Sequence, residues 1–478
     1  MYDGESKHSL GERGDSMSTE ANMMETRSIE QIPTQERHGR PFSLFTLWFA
    51  SNFQINALVT GAVAVALGLN FGLALLAIVV GNLIGALFMA YHSVQGPRLG
   101  LPQMIQSRAQ FGYRGAMLPF VVVVVMYLGF AVAGGLVAGP ALANWIGISR
   151  DLGVVIYNVV VLVVALFGYR LIHAVSRVIS VLSAVGFVII FVELIQHVPS
   201  NYHGTANNLA TFMLAVSIFV SWQITWAPYV SDYSRYLPSK TKGSVTFAYT
   251  FVGSAVGAIL IMGVGALGAA INYSALNADP IGFLGHRIPA VAGLLIVLLL
   301  LSLLPASAES PYGAFLTALS AVSANGKLRS TKRARAIFVV GFTILSLLVT
   351  ILFPNNILNN FENVILFLLY LLVPWTAINL TDYYLVRRGH YDVAGLLRRH
   401  GPYGQWNIGT LLIYGLTILL EVPFVNSSLY EGPIAKHLGG ADISWIVGLV
   451  FATVAYYLYA KWQGIPVRSE GEVEEVQS

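Results

Sequence analysis

The chain has 478 residues, 56% of them hydrophobic and 10% charged, with a mean hydropathy of +0.68 and no cysteine. Soluble domains carry about 25% charged residues, so this composition describes an all-α polytopic membrane protein, and the absence of thiols excludes disulfide frameworks, thiolate metal sites and cysteine nucleophiles. A net charge of +4 is too small and too dispersed to be a nucleic-acid footprint.

Residues 1–40 hold eight carboxylates and no apolar run, which predicts a disordered tail and no signal peptide. Met17, Met23 and Met24 are alternative starts. Beyond the tail, apolar stretches of about 20 residues, long enough to cross roughly 30 Å of hydrocarbon, recur to the end of the chain. Twelve spans are expected, over 42–68, 71–93, 118–145, 152–169, 172–195, 209–231, 245–271, 288–321, 336–353, 361–381, 407–425 and 441–462, with a short polar tail over 463–478.

Cytoplasmic loops collect Lys and Arg, and these residues test the count. With the N-terminus inside, 24 of the 27 fall in inner segments, including Arg98, Arg108 and Arg114, Arg235, Lys240 and Lys242, and the run from Lys327 to Arg335. Only Arg150, Arg287 and Lys436 fall outside. A miscounted helix would spoil this alternation downstream, so both termini are expected in the cytoplasm and the protein in the cell membrane.

Span 1 is interrupted near "ASNFQIN" (50–56) and span 6 near "SWQITW" (221–226), about 170 residues apart. Five spans per unit force the second copy to start on the opposite face, the arrangement of an inverted repeat whose paired interruptions mark a binding site. The repeats are expected over 41–195 and 209–381, with two accessory helices over 407–462.

At about 1.5 Å of rise per residue, Gln54 (14 residues after Arg40), Trp222 (13 before Arg235) and Glu309 (22 after Arg287, 18 before Lys327) all fall near the bilayer centre. Asn52, Gln54 and Asn56 are either site-lining amides or interhelical glue. Trp222 and Trp226 are cavity aromatics or lipid-facing ones. Gln223 offers a donor and an acceptor to a planar heterocycle. Pro228 frees a carbonyl, which at such depth is tolerated where it faces protein or a watery cavity. Glu309, in "SLLPASAESPYGAF", is the costliest residue in the chain, at roughly 2.5 to 3.5 kcal/mol for a mid-membrane acid. Pro305 and Pro311 bracket it, so a broken or bent helix is expected there. A desolvated carboxyl can carry a proton near neutral pH; Glu309 is read as a ligand-binding or proton-carrying group, against a structural carboxyl met by hydroxyls. Glu193 is similar but nearer the outer surface. Asp232 and Arg235, in "DYSRY", are read as loop-fixing residues, and the Gly/Pro-rich 96–115 as a gate or helix elbow. The histidines show no HExxH spacing, and no Walker-type loop exists.

The segments "RAQFGYRGAMLP" and "WAPYVSDYSRYLP", with the twelve-span layout, resemble the nucleobase-cation symporter family, its purine-cytosine permease branch, over about residues 40–462. The resemblance implies a LeuT-like 5+5 fold with alternating access, importing nucleobases or related heterocycles with Na⁺ or H⁺ and no cofactor. In the family's sodium-hydantoin member the flat ligand stacks between tryptophans of helices 3 and 6, with amides of helices 1, 3 and 8 at its edge. Carried over, Trp222 matches the helix 6 aromatic and Gln54 the helix 1 amide, while Ala50 and Phe53 offer the backbone carbonyls of a sodium site. Helix 3 departs from the pattern, having no tryptophan and only Tyr127 and Phe130 as candidates. Helix 8 departs further: Glu309 or Ser310 stands where an asparagine is expected, and Leu303 and Leu304 where a sodium site wants hydroxyls, unless Ser302 or Ser307 compensates. Proton coupling through Glu309 is therefore favoured over sodium. A membrane-embedded enzyme would need a nucleophile-base or metal constellation, and a channel a polar stripe along several helices; neither is present.

Overall fold

The structure, a computed structural model, describes residues 29–167, 169–199, 202–323, 331–352 and 361–465. Residues 1–28 and 466–478 of the expected tails, and Lys327 and Arg329 of the inner basic run, lie outside them.

Each expected span coincides with a helix or a helix pair. In chain order these are α1 (Phe42–Asn52) and α2 (Ile55–Ala66), α3 (Phe71–Ser93), α4 (Met117–Ile146), α5 (Arg150–Phe167) and α6 (Tyr169–Ile195). The second half holds α7 (Leu209–Ile224), α8 (Val230–Ser234), α9 (Gly243–Ala278), α10 (Ala292–Ser323), α11 (Lys332–Leu352) and α12 (Phe361–Leu380), followed by α13 (Ile408–Glu421) and α14 (Ser444–Trp462). Among the described residues, eight helices are long and apolar enough to cross a membrane alone, counting α7 through α8 as one, and the α1–α2 pair makes a ninth. The apolar helices Val181–Ile195 and Ile408–Phe424 are shorter than a span, so length and composition alone do not carry the count to twelve.

Helix starts follow the local chemistry. Asn70, Asn208 and Asn407 cap α3, α7 and α13, each accepting the N–H three residues on, as N-cap amides do. Gly147, at φ 73°, ends α4 in the left-handed conformation that glycine adopts without penalty.

The first interruption is a true break. Phe53 (φ −79°, ψ 67°) and Gln54 (φ −141°, ψ 158°) leave helical geometry, and α1 and α2 meet at a 62° bend. The second lies at Thr225 and Trp226, after which Ala227–Tyr229 forms one 3₁₀ turn around Pro228 and the chain resumes as α8. Of the broken or bent helix expected around Glu309, the broken form is not what is found: α10 runs as a single helix through Pro305 and Pro311. Each proline removes one donor, leaving the Leu301 and Ser307 carbonyls without their i+4 N–H, while Ser302 donates to Leu299 O and Ser310 to Ala306 O on the same helix.

The helices pack as two blocks, each drawing on both repeats. In one, α9 lies against α1, α2 and α3, and α7 against α3; in the other, α4, α5, α10 and α11 pack together. Glycines set the closest approaches in the first block. A Cβ on Gly265 of α9 would fall on Leu58 O of α2, and one on Gly61 of α2 on the Met262 backbone. Small residues let membrane helices approach this closely.

The expected disordered tail ends earlier than residue 40. Ile32 is buried at 2% exposure, its N–H donates to Gly100 O, and Arg37 donates to Ile32 O and Pro97 O. One apolar anchor and one arginine bonded to carbonyls hold residues 29–40 under the 95–115 loop, contacts that composition alone does not reveal. Gly39 N–H donates to Tyr236 O, extending the tie to the end of α8.

Gly265→Val is expected to force α2 and α9 apart and to cost about 1–3 kcal/mol or more, read as a fall in the thermal unfolding midpoint of the detergent-purified protein. Gly415→Val, at a position where a Cβ meets nothing within 4 Å, serves as the neutral control.

Candidate functional site

The two breaks meet through side chains. Asn52, the last residue of α1, is fully buried and donates to Trp48 O at 2.7 Å and to Ser254 Oγ at 3.3 Å. Its Oδ1 accepts the indole N–H of Trp222, in the last turn of α7, at 2.8 Å. Gln54 heads α2 with extended backbone, buried, and folds back to donate to Ser51 O at 3.0 Å. Asn56 is also buried.

An aromatic cluster extends from this junction. Phe130 of α4 stands edge-on to Trp222 with centroids 5.9 Å apart and planes at 82°. Trp226 lies 6.0 Å from Trp222 and 5.8 Å from Trp48, and Tyr229 5.8 Å from Trp226. Tyr127 of α4 reaches Tyr229 at 5.3 Å. Both helix 3 candidates, Tyr127 and Phe130, are thus brought to the span 6 break, at successive positions along it. A ring held between two parallel faces needs them roughly 7 Å apart, twice the contact distance of carbon atoms; the edge-on Phe130–Trp222 pair is not so arranged, and this cluster is packed on itself. Trp48, which the sequence reading passed over, is part of it, buried at 1% exposure. The indole N–H groups of Trp48 and Trp226 are buried without a protein acceptor.

Gln223, expected to face a ligand, is placed elsewhere. It donates to Asn82 Oδ1 at 2.9 Å and accepts from Ser254 Oγ at 2.6 Å, inside the α3–α7–α9 contact. A Cβ on Gly85 of α3 would fall against it. Successive helix residues point about 100° apart, so a helix that turns Trp222 to the breaks turns Gln223 into its neighbours.

Ala50 O accepts the Phe53 N–H at 3.0 Å, and the Phe53 ring packs edge-on to Phe187 of α6. On α10, Leu303 and Leu304 are buried. Ser302 bonds its own helix, and Ser307 pairs with Tyr157 OH of α5 at 2.8 Å, pointing into the second block. The shifted register that would supply hydroxyls opposite the α1 break is therefore not formed. Ser310 is likewise turned back on its own helix.

Glu309 is half-buried on α10 and lines a cavity with Tyr127, Tyr229, Asp232, Arg235 and Tyr312. The cavity measures ≈20 Å³, room for about one water at the usual requirement of ~10–15 Å³. Asp232 and Arg235 were read as loop-fixing residues; they do fix a loop, but they also share this cavity. Asp232 Oδ1 accepts the Gln103 N–H at 2.8 Å, and Arg235 donates to Asp232 O. The signal for them was their place directly after Pro228, where the chain resumes as α8 and carries Asp232 and Tyr233 into the lining of this cavity. Below, the 95–115 loop is held by Arg108, which donates to Leu396 O and Ser320 O and lies over the Tyr113 ring. Burial lowers the pKa of this guanidinium to about 10, which leaves it charged at neutral pH.

Trp222→Phe keeps the ring and removes the donor to Asn52. The buried Asn52 Oδ1 is then unpaired, at a cost of about 1–3 kcal/mol, and in a double-mutant cycle with Asn52→Ala the two losses in unfolding free energy are expected to be clearly less than additive.

Comparison with known proteins agrees with this geometry. The family described as "Permease for cytosine/purines, uracil, thiamine, allantoin" matches residues 31–448. The putative purine-cytosine permease YxlA of Bacillus subtilis is 40% identical over 444 residues, covering 92% of this chain and 96% of that protein. The purine-cytosine permease fcyB of Emericella nidulans is 24% identical over 458 residues, covering 91% and 87%. Among solved structures, Mhp1, a nucleobase-cation-symport-1 family transporter in a closed conformation with bromovinylhydantoin bound, matches with a TM-score of 0.73 at 20% identity, covering 94% of this chain and 98% of that one. Its inward-facing conformation matches at 0.70 and 18% identity, covering 95% and 98%. These structures give the fold, a LeuT-like arrangement in which broken helices flank a central site. The chain belongs to the nucleobase-cation symporter family, the permeases for cytosine/purines, uracil, thiamine and allantoin.

Proposed function

We propose that this protein is a secondary active transporter that imports a nucleobase or related planar heterocycle, of cytosine or purine type, across the cell membrane together with a proton, with both termini on the cytoplasmic side. The observation that carries the reading is the meeting of the two helix breaks: Asn52 and Trp222 are hydrogen-bonded across them, with Phe130, Trp226 and Tyr127 around the junction. Aromatic faces and amide edges recognise a flat ligand that both stacks and hydrogen-bonds. In this assignment Trp222 and Trp226 with Phe130 or Tyr127 supply faces, and Asn52 and Gln54 supply edges once the cluster opens. Glu309 and Ser310 are the corresponding α10 positions, of which Glu309 opens onto the cavity. No cofactor takes part.

Glu309 is assigned the coupling proton. Hard cations take oxygen ligands, and Leu303 and Leu304 present none from their side chains opposite the α1 break, while Ser307 is engaged with Tyr157. Sodium-coupled uptake of an allantoin-, hydantoin- or vitamin-like heterocycle is the second reading, favoured by the bend at Ala50 and Phe53, whose carbonyls are the backbone ligands it would use.

A thermal-shift screen of adenine, hypoxanthine, cytosine, uracil, allantoin and pyridoxine on purified protein is expected to pick out a nucleobase. Trp222→Ala should then weaken its binding by about 1–3 kcal/mol, the scale of base–aromatic stacking, and unaltered affinity removes Trp222 from the site.

In proteoliposomes, uptake is expected to persist when choline replaces Na⁺ at fixed pH and to rise as the outer pH falls, because the protonated carboxyl is the form that carries the cycle inward. Glu309→Gln should flatten that pH dependence. Uptake that needs Na⁺ and ignores pH would instead select the second reading.

A further inference from the structure

Glu309 and Asp232 share one cavity but belong to different helices and different blocks, α10 and α8. The phenols of Tyr127, Tyr229, Tyr233 and Tyr312 line the same cavity. Gly313 lies one turn inward from Glu309 on the same face of α10, since residues i and i+4 superpose on a helix. A Cβ there would fall on the ring and hydroxyl of Tyr127, so the Tyr127 phenol lies directly on the α10 backbone beneath Glu309. The Tyr127 and Tyr229 rings pack with centroids 5.3 Å apart, and Tyr229 is three residues before Asp232, so both phenols line the cavity that the two carboxyls share. The cavity of ≈20 Å³ has room for about one water.

We propose that Asp232 is the inner proton acceptor of the cycle: it takes the proton that Glu309 carries, by way of Tyr127, Tyr229 and one water, and passes it to the cytoplasmic side. This rests on the proton reading of Glu309 above. In the step, the O–H bond of the Glu309 carboxyl breaks and one forms on the Asp232 carboxylate, the intervening phenol or water giving up one proton as it gains another. Asp232 then loses its proton to bulk water, and Glu309, left ionised, is recharged from the outer side in the next cycle. Electrons and atoms balance without any further reactant.

The surroundings of Asp232 suit an acceptor. It is faced by Tyr127 from α4, by Glu309 and Tyr312 from α10, and by Tyr229, Tyr233 and Arg235 from its own segment. Arg235 is the single cation in that set, and its Nε donates to Asp232 O at 3.2 Å. The loop contributes the Gln103 N–H, bonded to Asp232 Oδ1 at 2.8 Å. A hydrogen bond to an ionised carboxylate is about twice as strong as one to a neutral partner, so arrival of the proton loosens the 95–115 loop from α8 at the moment of release. The same chemistry couples proton departure to the inner side of the pathway.

The test uses the full-length protein in proteoliposomes, with labelled cytosine, or labelled adenine where cytosine does not bind. Two quantities are read: accumulation driven by a pH gradient, and counterflow exchange at equal pH, which moves substrate without net proton transfer. Asp232→Asn is expected to cut accumulation by about tenfold or more while counterflow stays within about twofold, the order of effect that losing a positioned proton-transfer group has. Asp232→Glu, which restores a titratable carboxyl, is expected to recover accumulation. Asp232→Asn that accumulates like the parent overturns the proposal. So does a parallel loss of accumulation and counterflow that Asp232→Glu does not rescue, which makes Asp232 a post for the loop only. Gradient-driven accumulation that survives Glu309→Gln sinks the proton reading itself, whatever Asp232 does.

Discussion

Inside hydrocarbon a backbone that leaves the helix must find other partners for its N–H and C=O groups, and this chain leaves the helix twice at the same depth. The rest of the structure is arranged around making those two departures tolerable. Asn52 accepts the Trp222 indole N–H across the junction and donates back to Trp48 O. Thr225 returns its hydroxyl to Trp222 O at 2.7 Å, inside the second break. The Phe53 N–H finds Ala50 O, and the Gln54 amide finds Ser51 O. Most of these bonds are local to one break, and the Trp222–Asn52 bond is the one that ties the two together.

The close helix contacts follow from the same constraint. Gly61 and Gly265 bring α2 and α9 to backbone contact, and Gly81 and Gly85 of α3 do the same for α7. The first block thereby packs both breaks against α3 and α9. The second block presents Tyr127, Phe130 and Glu309 to it across a surface of aromatic contacts.

The spans were readable because roughly 20 apolar residues in a row have few other uses, and the breaks because amides interrupt those runs at "ASNFQIN" and "SWQITW". The accessory helices and the pairing of spans 1 and 6 followed from counting. Directions around a helix were less readable. Trp222 and Gln223 are adjacent in the chain and serve different interfaces, because which of them faces the breaks depends on Asn82 and Ser254, far off in sequence. Pro305 and Pro311 suggested a third break that α10 does not have, since a proline frees a carbonyl but does not dictate how it is met. Asp232 reads from the sequence as a loop-fixing residue, yet the resumed helix α8 also carries it into the lining of the Glu309 cavity. The packing of residues 29–40 rests on Ile32 and Arg37, two residues in a polar stretch whose partners at Pro97 and Gly100 lie beyond any local pattern.

In the proton-coupled mechanism proposed above, placement on separate blocks gives the two carboxyls their meaning. If Glu309 and Asp232 sat on one rigid unit, a proton could run between them in every conformation, and the gradient would dissipate without moving substrate. Because α10 belongs to one block and α8 to the other, their separation is set by the relative position of the blocks, the same coordinate that opens and closes the substrate route in an alternating-access protein. The Gln103 bond adds a second dependence, tying Asp232 to the loop that joins α3 in the first block to α4 in the second. In that proposed mechanism, proton transfer is permitted only where the blocks bring α8 and α10 together and the loop is seated beneath them, which is the condition a symporter needs in order to couple rather than leak.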